Sequence, residues 1–332
     1  MSAALASTVD PERLLKELRT LWRDLGKDDP NGVLRACAMT LIVVVDEASD
    51  AAILGETIAS LMHDHPSRAI VIRVRQCPEQ VLEARVFAQC WMPFGRRQQI
   101  CCEQVEFIAS ASALADVASV VRGLVVPDLP SILYVPSENL WVLPTFGALL
   151  PLAEKIIVDS CGLHESGKIL DFLSDLPTHV ERRADLVWSR LTPWRQAIAR
   201  IFEDASRARR IQGINSVEIH FSGKEQPAAV WYLGGWFRHV LGGEVAVKMS
   251  HKDGPEYASI AHVALSGRDL EATVEITSRN TAETRVNGES LEVTVFPVAN
   301  DEYALRQELA FSGRDPLFRD VLLLARRMRG SH

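Results

Sequence analysis

TLIVVVDEASDAAILGETIASLMHDHPSRAIVIRV, residues 40–74, runs from one short apolar segment through a helical window into a second. Thr40–Val45 and Ala69–Val74 are rich in Val and Ile and lack polar alternation, the texture of strands covered on both faces. Between them, Ala51–His63 reads as a helix. Strand, helix, strand in that order makes a βαβ unit and a mainly parallel sheet. Further apolar runs at Gln99–Ile108, Ile132–Val135 and Lys155–Val158 extend it. Arg85–Trp91 reads as one more strand, turned back onto Gln99–Ile108 through Pro93-Phe94-Gly95, which places an antiparallel edge on the sheet.

Three helices announce themselves by a capping residue followed by proline: Asp10-Pro11, Thr192-Pro193 and Asp315-Pro316. The first carries Leu14, Leu18, Leu21, Trp22 and Leu25 on one face up to Gly26, where it is expected to stop. The second carries Trp194, Ala197, Ile198, Ile201, Phe202 and Ala205, and is expected to continue to about Arg210. The third buries Phe318, Val321, Leu322 and Ala325. After Gly213 the texture changes to strands at Ser216–Phe221, Glu244–Met249, Ser259–Leu265, Glu271–Thr277 and Ser290–Phe296, with helices near Ala228–Val240 and Glu302–Ala310. Ser266-Gly267 and Asn287-Gly288 read as hairpin turns. The expectation is an α/β N-terminal domain with a mainly parallel, Rossmann-like sheet over 1–185, a bridging helix over 186–212, and an α+β C-terminal domain with a mainly antiparallel sheet over 213–332.

With 332 residues and 47% hydrophobic content the chain can bury two cores. A net charge of −7 repels phosphate backbones, and the clusters Arg207–Arg210 and Arg326–Arg329 are too short to reverse that, so no nucleic-acid partner is expected. The strongest apolar run, Leu41–Val45, is too short to cross a bilayer, and Met1–Asp10 lacks a basic start followed by an apolar stretch. No membrane partner is expected. Cysteines 37, 77, 90, 101, 102 and 161 form no CxxC pair, which suggests neither a zinc knuckle nor a disulfide framework and fits a reducing cytoplasm. Cys101 and Cys102 are neighbours in a strand and face opposite ways, so both are expected as buried thiols.

Gly162-Leu-His-Glu-Ser-Gly-Lys168-Ile169 has the spacing of a phosphate-binding P-loop but ends on Ile169 where a hydroxyl must reach Mg²⁺; a polar turn into a helix is the better reading. The strand ending at Val45 is followed by Asp46-Glu47-Ala48-Ser49-Asp50, an acidic loop without the glycines that cradle a pyrophosphate, and no GxGxxG occurs elsewhere. No cofactor is expected. His63-Asp64-His65-Pro66-Ser67-Arg68 is the densest polar segment; it lacks a third metal ligand and reads first as a rigid turn, with His65, Ser67 and Arg68 the candidates if an anion binds. Cys161-x-x-His164 has no second pair, and GxSxG is absent. No catalytic residue and no metal site is assigned. Asp185-Leu-Val-Trp188-Ser-Arg190-Leu-Thr-Pro-Trp194-Arg195 places two tryptophans and two arginines around a helix start; Trp188, Arg190, Trp194 and Arg195 are either hot spots for a partner or anchors on the core.

Five segments together resemble the glucose-6-phosphate dehydrogenase assembly proteins, the OpcA family. They are Arg35-Ala-Cys-Ala-Met-Thr-Leu-Ile-Val-Val, His65-Pro-Ser-Arg68, Ile100-Cys-Cys-Glu-Gln-Val105, Leu124-Val-Val-Pro-Asp-Leu-Pro-Ser131 and Asp185–Arg195. The resemblance covers most of the chain and is looser in the C-terminal third. It implies a noncatalytic protein that binds oligomeric glucose-6-phosphate dehydrogenase and activates it allosterically in the oxidative pentose phosphate pathway. Some cyanobacterial members are regulated through thiols; this chain has no cysteine after Cys161, so control through C-terminal cysteines does not carry over. The competing expectation is a sugar-phosphate- or nucleotide-binding enzyme that uses the N-terminal sheet with Arg68 and Lys168 on phosphate.

Overall fold

The computed structural model describes residues 9–28, 33–92, 99–163, 165–180, 182–223, 225–242, 244–252, 254, 258–296, 300–311 and 313–330. The chain divides into two compact units. The first comprises Met1–Asp159, Pro177–Arg183 and Leu309–Gly313; the second comprises Ser160–Leu176, Ala184–Glu308 and Arg314–His332.

The first unit opens with helix α1 (Pro11–Asp28), which continues past Gly26. A lone glycine in a helix costs only about 1 kcal/mol relative to alanine, too little to stop one whose apolar face is already packed. Strand β1 (Val33–Arg35) and strand β2 (Met39–Asp46) follow. Helix α2 (Ala51–Asp64) is capped by Asp50, whose carboxylate accepts from the N–H groups of Ala52 and Ile53. Next come β3 (Ser67–Arg75), β4 (Leu82–Trp91), β5 (Gln99–Ser110), α3 (Leu114–Arg122), β6 (Ser131–Val135), α4 (Glu138–Trp141) and β7 (Lys155–Val158). With β8 (Arg182–Asp185), reached after α5 (Ser166–Ser174), they make an eight-stranded sheet of order β1-β5-β3-β2-β6-β7-β8, with β4 on the other side of β5. β2, β3, β5, β6 and β7 are parallel, and β4 is the antiparallel edge. The Rossmann-like sheet and its edge are as the sequence implies. Pro93-Phe94-Gly95 lies outside the described residues. Ile42, Val44, Ile70, Ile72, Phe107, Leu133 and Ile157 are buried in the sheet, and the crossover after β2 places α2 over β3 and β5.

One expectation about this unit fails. Cys90 and Cys101 face each other in the β4–β5 ladder and are joined by a disulfide. They are eleven positions apart in the sequence, and only the pairing register brings them together. Cys102 remains a buried thiol, and burial pushes its pKa up to about 11.

In the second unit the expected long helix over 186–212 is three helices: α6 (Leu186–Arg190), α7 (Thr192–Ile201) and α8 (Ala205–Ala208). Asp204 breaks the run by capping α8, its carboxylate accepting from the N–H groups of Ser206 and Arg207. Strand β9 (Ile214–Phe221), helix α9 (Ala228–Leu241), strands β10 (Ala246–His251), β11 (Ile260–Gly267), β12 (Glu271–Ser278), β13 (Thr281–Val286) and β14 (Glu289–Val295), and helices α10 (Asp301–Ala310) and α11 (Pro316–Arg329) complete it. The sheet runs β10-β9-β11-β12-β13-β14, parallel only between β9 and β10. Ser266-Gly267 is not the turn: both residues pair with β9, and a Cβ on Gly267 would lie 2.5 Å from the carbonyl oxygen of Gly213. Asn287-Gly288 is the turn it promised to be, with φ of 51° and 84°. α9 and α11 approach so closely that a Cβ on Gly235 would lie 2.6 Å from the carbonyl oxygen of Val321.

Candidate functional site

Two ionic centres occupy opposite faces of the β3–β5 strand pair in the first unit. On one face, Glu103 takes three donors. Arg68 donates through Nε at 2.6 Å, Trp22 of α1 through Nε1 at 2.6 Å, and Arg35 of β1 approaches through Nη2 at 2.7 Å. Arg68 also donates to the Leu124 carbonyl at 2.5 Å and is 7% exposed. Its fork is therefore committed within the protein. Ser67 is buried with its hydroxyl unpartnered among the described residues, and His65 closes α2 by donating its backbone N–H to the Leu61 carbonyl. The three residues expected for an anion lie at one strand start, where the structure gives Arg68 a carboxylate instead.

On the other face, Glu106 receives Nε of Arg73 at 2.6 Å and is also paired with Arg85. Arg73 further donates to the Ser49 carbonyl at 3.0 Å, tying β3 to the loop before α2. Beside this pair, α2 meets the sheet through small residues and leaves a cavity of about 390 Å³ lined by Gly55, Ala59, Val71, Phe87, Gln89 and Gln104 among others. Gln104 is 7% exposed and lines this cavity from β5. The arrangement offers two neutral amide side chains, Gln89 and Gln104, among apolar residues, with the Arg73–Glu106 ion pair at their side. The sequence signal that could have marked it was polar residues inside apolar runs: Arg73 in β3, and Gln104 and Glu106 in β5.

The second unit is organised around Asp185. It is fully buried and accepts from the N–H of Ser160 at 3.2 Å, from the N–H of Val187 at 3.0 Å and from the Tyr232 hydroxyl at 2.7 Å. Burial and the neighbouring carboxylate hold the Tyr232 phenol well above its ordinary pKa. From this point α6 carries Trp188 inward, 3% exposed, with Nε1 donating to Asp315 and its ring 5.5 Å from Phe318. Trp194 is 6% exposed and edge-on to Phe296 at 5.2 Å. Arg195 lies 3.5 Å over the Trp188 ring and donates to Thr192 Oγ1; burial brings its pKa down to about 10, so it stays charged at neutral pH. Arg190 donates to Asp301 at 2.7 Å. The structure thus brings Trp188 and Arg195 into one stack, with Trp194 in separate packing. Lys168 sits in α5, paired with Glu165 at 2.9 Å, and His164 lies outside the described residues. Among the described residues no group of three or more His, Cys, Asp or Glu is placed to hold a metal ion, and no helix is long and apolar enough to cross a membrane.

Two family models match the chain. Residues 58–175 match the one described as the glucose-6-phosphate dehydrogenase subunit N-terminal domain, and residues 181–322 the one described as its C-terminal domain. Among curated proteins, one named OxPP cycle protein OpcA from Synechocystis sp. is 29% identical over 184 residues, 54% of this chain and 38% of the relative. Its namesake from Nostoc punctiforme is 25% identical over 214 residues, 63% of this chain and 45% of the relative. The alignments thus take in less than half the length of either relative. Among solved structures, the transcriptional regulator Gal80p from Kluyveromyces lactis is 12% identical, with a TM-score of 0.46 over 93% of this chain and 94% of that one. Biliverdin reductase from Synechocystis sp. is 8% identical, with a TM-score of 0.49 over 88% of this chain and 98% of that one.

Proposed function

The chain belongs to the OpcA family of glucose-6-phosphate dehydrogenase assembly proteins, and on that premise we propose that it is a noncatalytic accessory protein that binds the oligomeric dehydrogenase and activates it. The observation that carries this reading is the match of both family domains, 58–175 and 181–322, in order along one chain. Its place is then the cytoplasm, on the oxidative pentose phosphate pathway. Activation requires differential affinity: binding shifts the dehydrogenase only to the extent that it favours the active conformation over the inactive one.

For the Trp188–Arg195 segment we propose a supporting part. Trp188 and Trp194 are too buried to meet a partner directly, and the half-buried Arg190 and Arg195 are held in place by Asp301 and by the Trp188 ring. An anion role for His65, Ser67 and Arg68 would first have to open the Arg68–Glu103 pair, and we assign the three to structure. The enzyme reading loses Arg68 in the same way, while Lys168 pairs with Glu165 at the surface of the second unit.

The test is titration into the dehydrogenase of the same organism, following NADP⁺ reduction and complex formation together. The expected result is no reduction by this protein alone, and a rise in turnover or substrate affinity on mixing. Neither binding nor a kinetic change would overturn the assignment.

A further inference from the structure

β14 closes one side of the second unit's sheet and, among the described residues, pairs only with β13. The N–H of Phe296 donates to the carbonyl of Asn280 at 2.8 Å, which sets the phase of the strand. By antiparallel alternation, Val295 and Val293 turn their N–H and C=O groups to the outer side. Their side chains are out as well. Val293 and Val295 are 66% and 67% exposed, and Leu291, the residue the β13 ladder skips, is 38% exposed. Glu292 and Thr294, between them, are the less exposed residues, and Glu292 is tied to Arg200 of α7. This inverts the pattern of β12 in the same sheet, where Ala272 and Val274 are buried and Glu271, Glu275 and Thr277 are exposed.

Soluble proteins blunt their sheet edges with charge or irregularity, because an open apolar edge is a template for another strand. The opposite edge, β10, is guarded in this way: its exposed residues are Ala246, Lys248 and His251. On β14 the irregularity falls at Leu291 and the carboxylates at Glu289 and Glu292, so the exposed Val293 and Val295 beyond them carry no charge.

We propose that β14 pairs with β14 of a second copy of this chain, antiparallel about a two-fold axis at Val293, joining two six-stranded sheets into one. The residue pattern selects that register. Centred on Val293, the pairs are Val293 with Val293, Leu291 with Val295, and Glu292 with Thr294, so one face is wholly apolar and no like charges meet. Centring one residue earlier would set Glu292 against Glu292, like charge directly against like. A single seven-residue strand contributes less than the roughly 1,200 Å² that stable complexes bury, so the dimer dissociates on dilution.

The experiment uses the full chain with its exposed Cys161 replaced by serine. In Val293→Cys, the hydrogen-bonded pair brings the two Cα atoms to about 5.5 Å, within disulfide reach. Mild oxidation is therefore expected to give a covalent dimer, and Val295→Cys alone is expected to give far less. A mixture of Leu291→Cys and Val295→Cys chains should cross-link as a heterologous pair. Val293→Lys, checked by circular dichroism and melting temperature for an intact fold, should sediment as monomer at concentrations where the parent shows dimer. A parent chain that stays monomeric at all accessible concentrations overturns the proposal. So does cross-linking at 293 no stronger than at 295. Loss of dehydrogenase binding in Val293→Lys from a monomeric parent would give the strand to that partner and overturn self-pairing, while leaving the proposed function intact.

Discussion

Glu103 in the first unit and Asp185 in the second are both buried carboxylates, but they are held by different means. Glu103 is answered by the guanidinium groups of Arg68 and Arg35 and by an indole N–H, whereas Asp185 accepts from two backbone N–H groups and one phenol. The first is charge against charge, drawn from α1, β1, β3 and β5. The second is charge against dipoles, with the N–H of Val187 at the start of α6, where the helix dipole favours an anion. The difference teaches where each centre is vulnerable. A charge pair can be removed as a pair, whereas an anion fixed by backbone donors cannot be removed without leaving those donors buried and unmet.

The largest expected effects test this contrast. Glu103→Ala strands Arg68 as a buried cation and should destabilise by roughly 3–5 kcal/mol, while Glu103→Leu with Arg68→Met should recover most of that loss. No apolar substitution at Asp185 should be rescued by Tyr232→Phe, because the N–H groups of Ser160 and Val187 remain. Denaturant titrations of the two double variants check both statements. A rescued Asp185→Leu/Tyr232→Phe chain would erase the distinction.

Next in size is Trp194→Ala with Arg195→Ala. The structure makes Trp194 a packed residue, and truncating a buried tryptophan costs roughly 3–5 kcal/mol. Melting temperature and stimulation of the dehydrogenase should therefore fall together. Lost stimulation with an unchanged melting temperature would mean that the segment meets the partner itself.

The same residues show what the sequence could and could not display. The parallel sheet was legible because strands buried on both faces leave runs such as Thr40–Val45, and the Asn287-Gly288 turn was legible because only a few residue types accept positive φ at both positions. Trp188 and Trp194 stood out by type, but type does not distinguish an anchor from a hot spot. Their burial follows from Phe296, Asp315 and Phe318, more than a hundred residues downstream. Arg68 looked free because its carboxylate arrives from β5, thirty-five residues on. Cys90 and Cys101 gave no spacing signal, because a cross-strand pair is set by ladder register.

That disulfide supplies a prediction of intermediate size. The bridge closes a short loop in the β4–β5 edge, and opening it should cost about 2–3 kcal/mol. Mass measurement of the alkylated chain with and without reductant should show two thiols appear, and Cys90→Ser should melt where the reduced chain does. Stimulation of the dehydrogenase should change little at temperatures well below that melting point. A loss of stimulation on reduction, without unfolding, would make the edge a switch.

The smallest effect concerns a third way of burying a titratable group, which is to keep it neutral. His262 on β11 stacks on His220 of β9, ring centroids 4.7 Å apart and planes 18° from parallel. Burial, then the neighbouring His220, lowers the His262 pKa below its ordinary value; Glu275 and Glu218 oppose the shift and Lys252 adds to it. The folded state thus binds that proton less readily than the unfolded chain, whose imidazole titrates near about 6.5. The stabilising contribution is complete above that pH and is lost as the pH falls below it, the reverse of a histidine paired with a carboxylate. His262→Phe keeps a ring against His220 and removes the titration. Its melting temperature should therefore fall less than that of the parent between about pH 7.5 and 5.5, with the two curves converging in slope above neutrality. Parallel curves across the whole range would show that His262 gains its proton in the folded chain as easily as in the unfolded one, and that the stack on the polar face of this sheet carries no electrostatic cost.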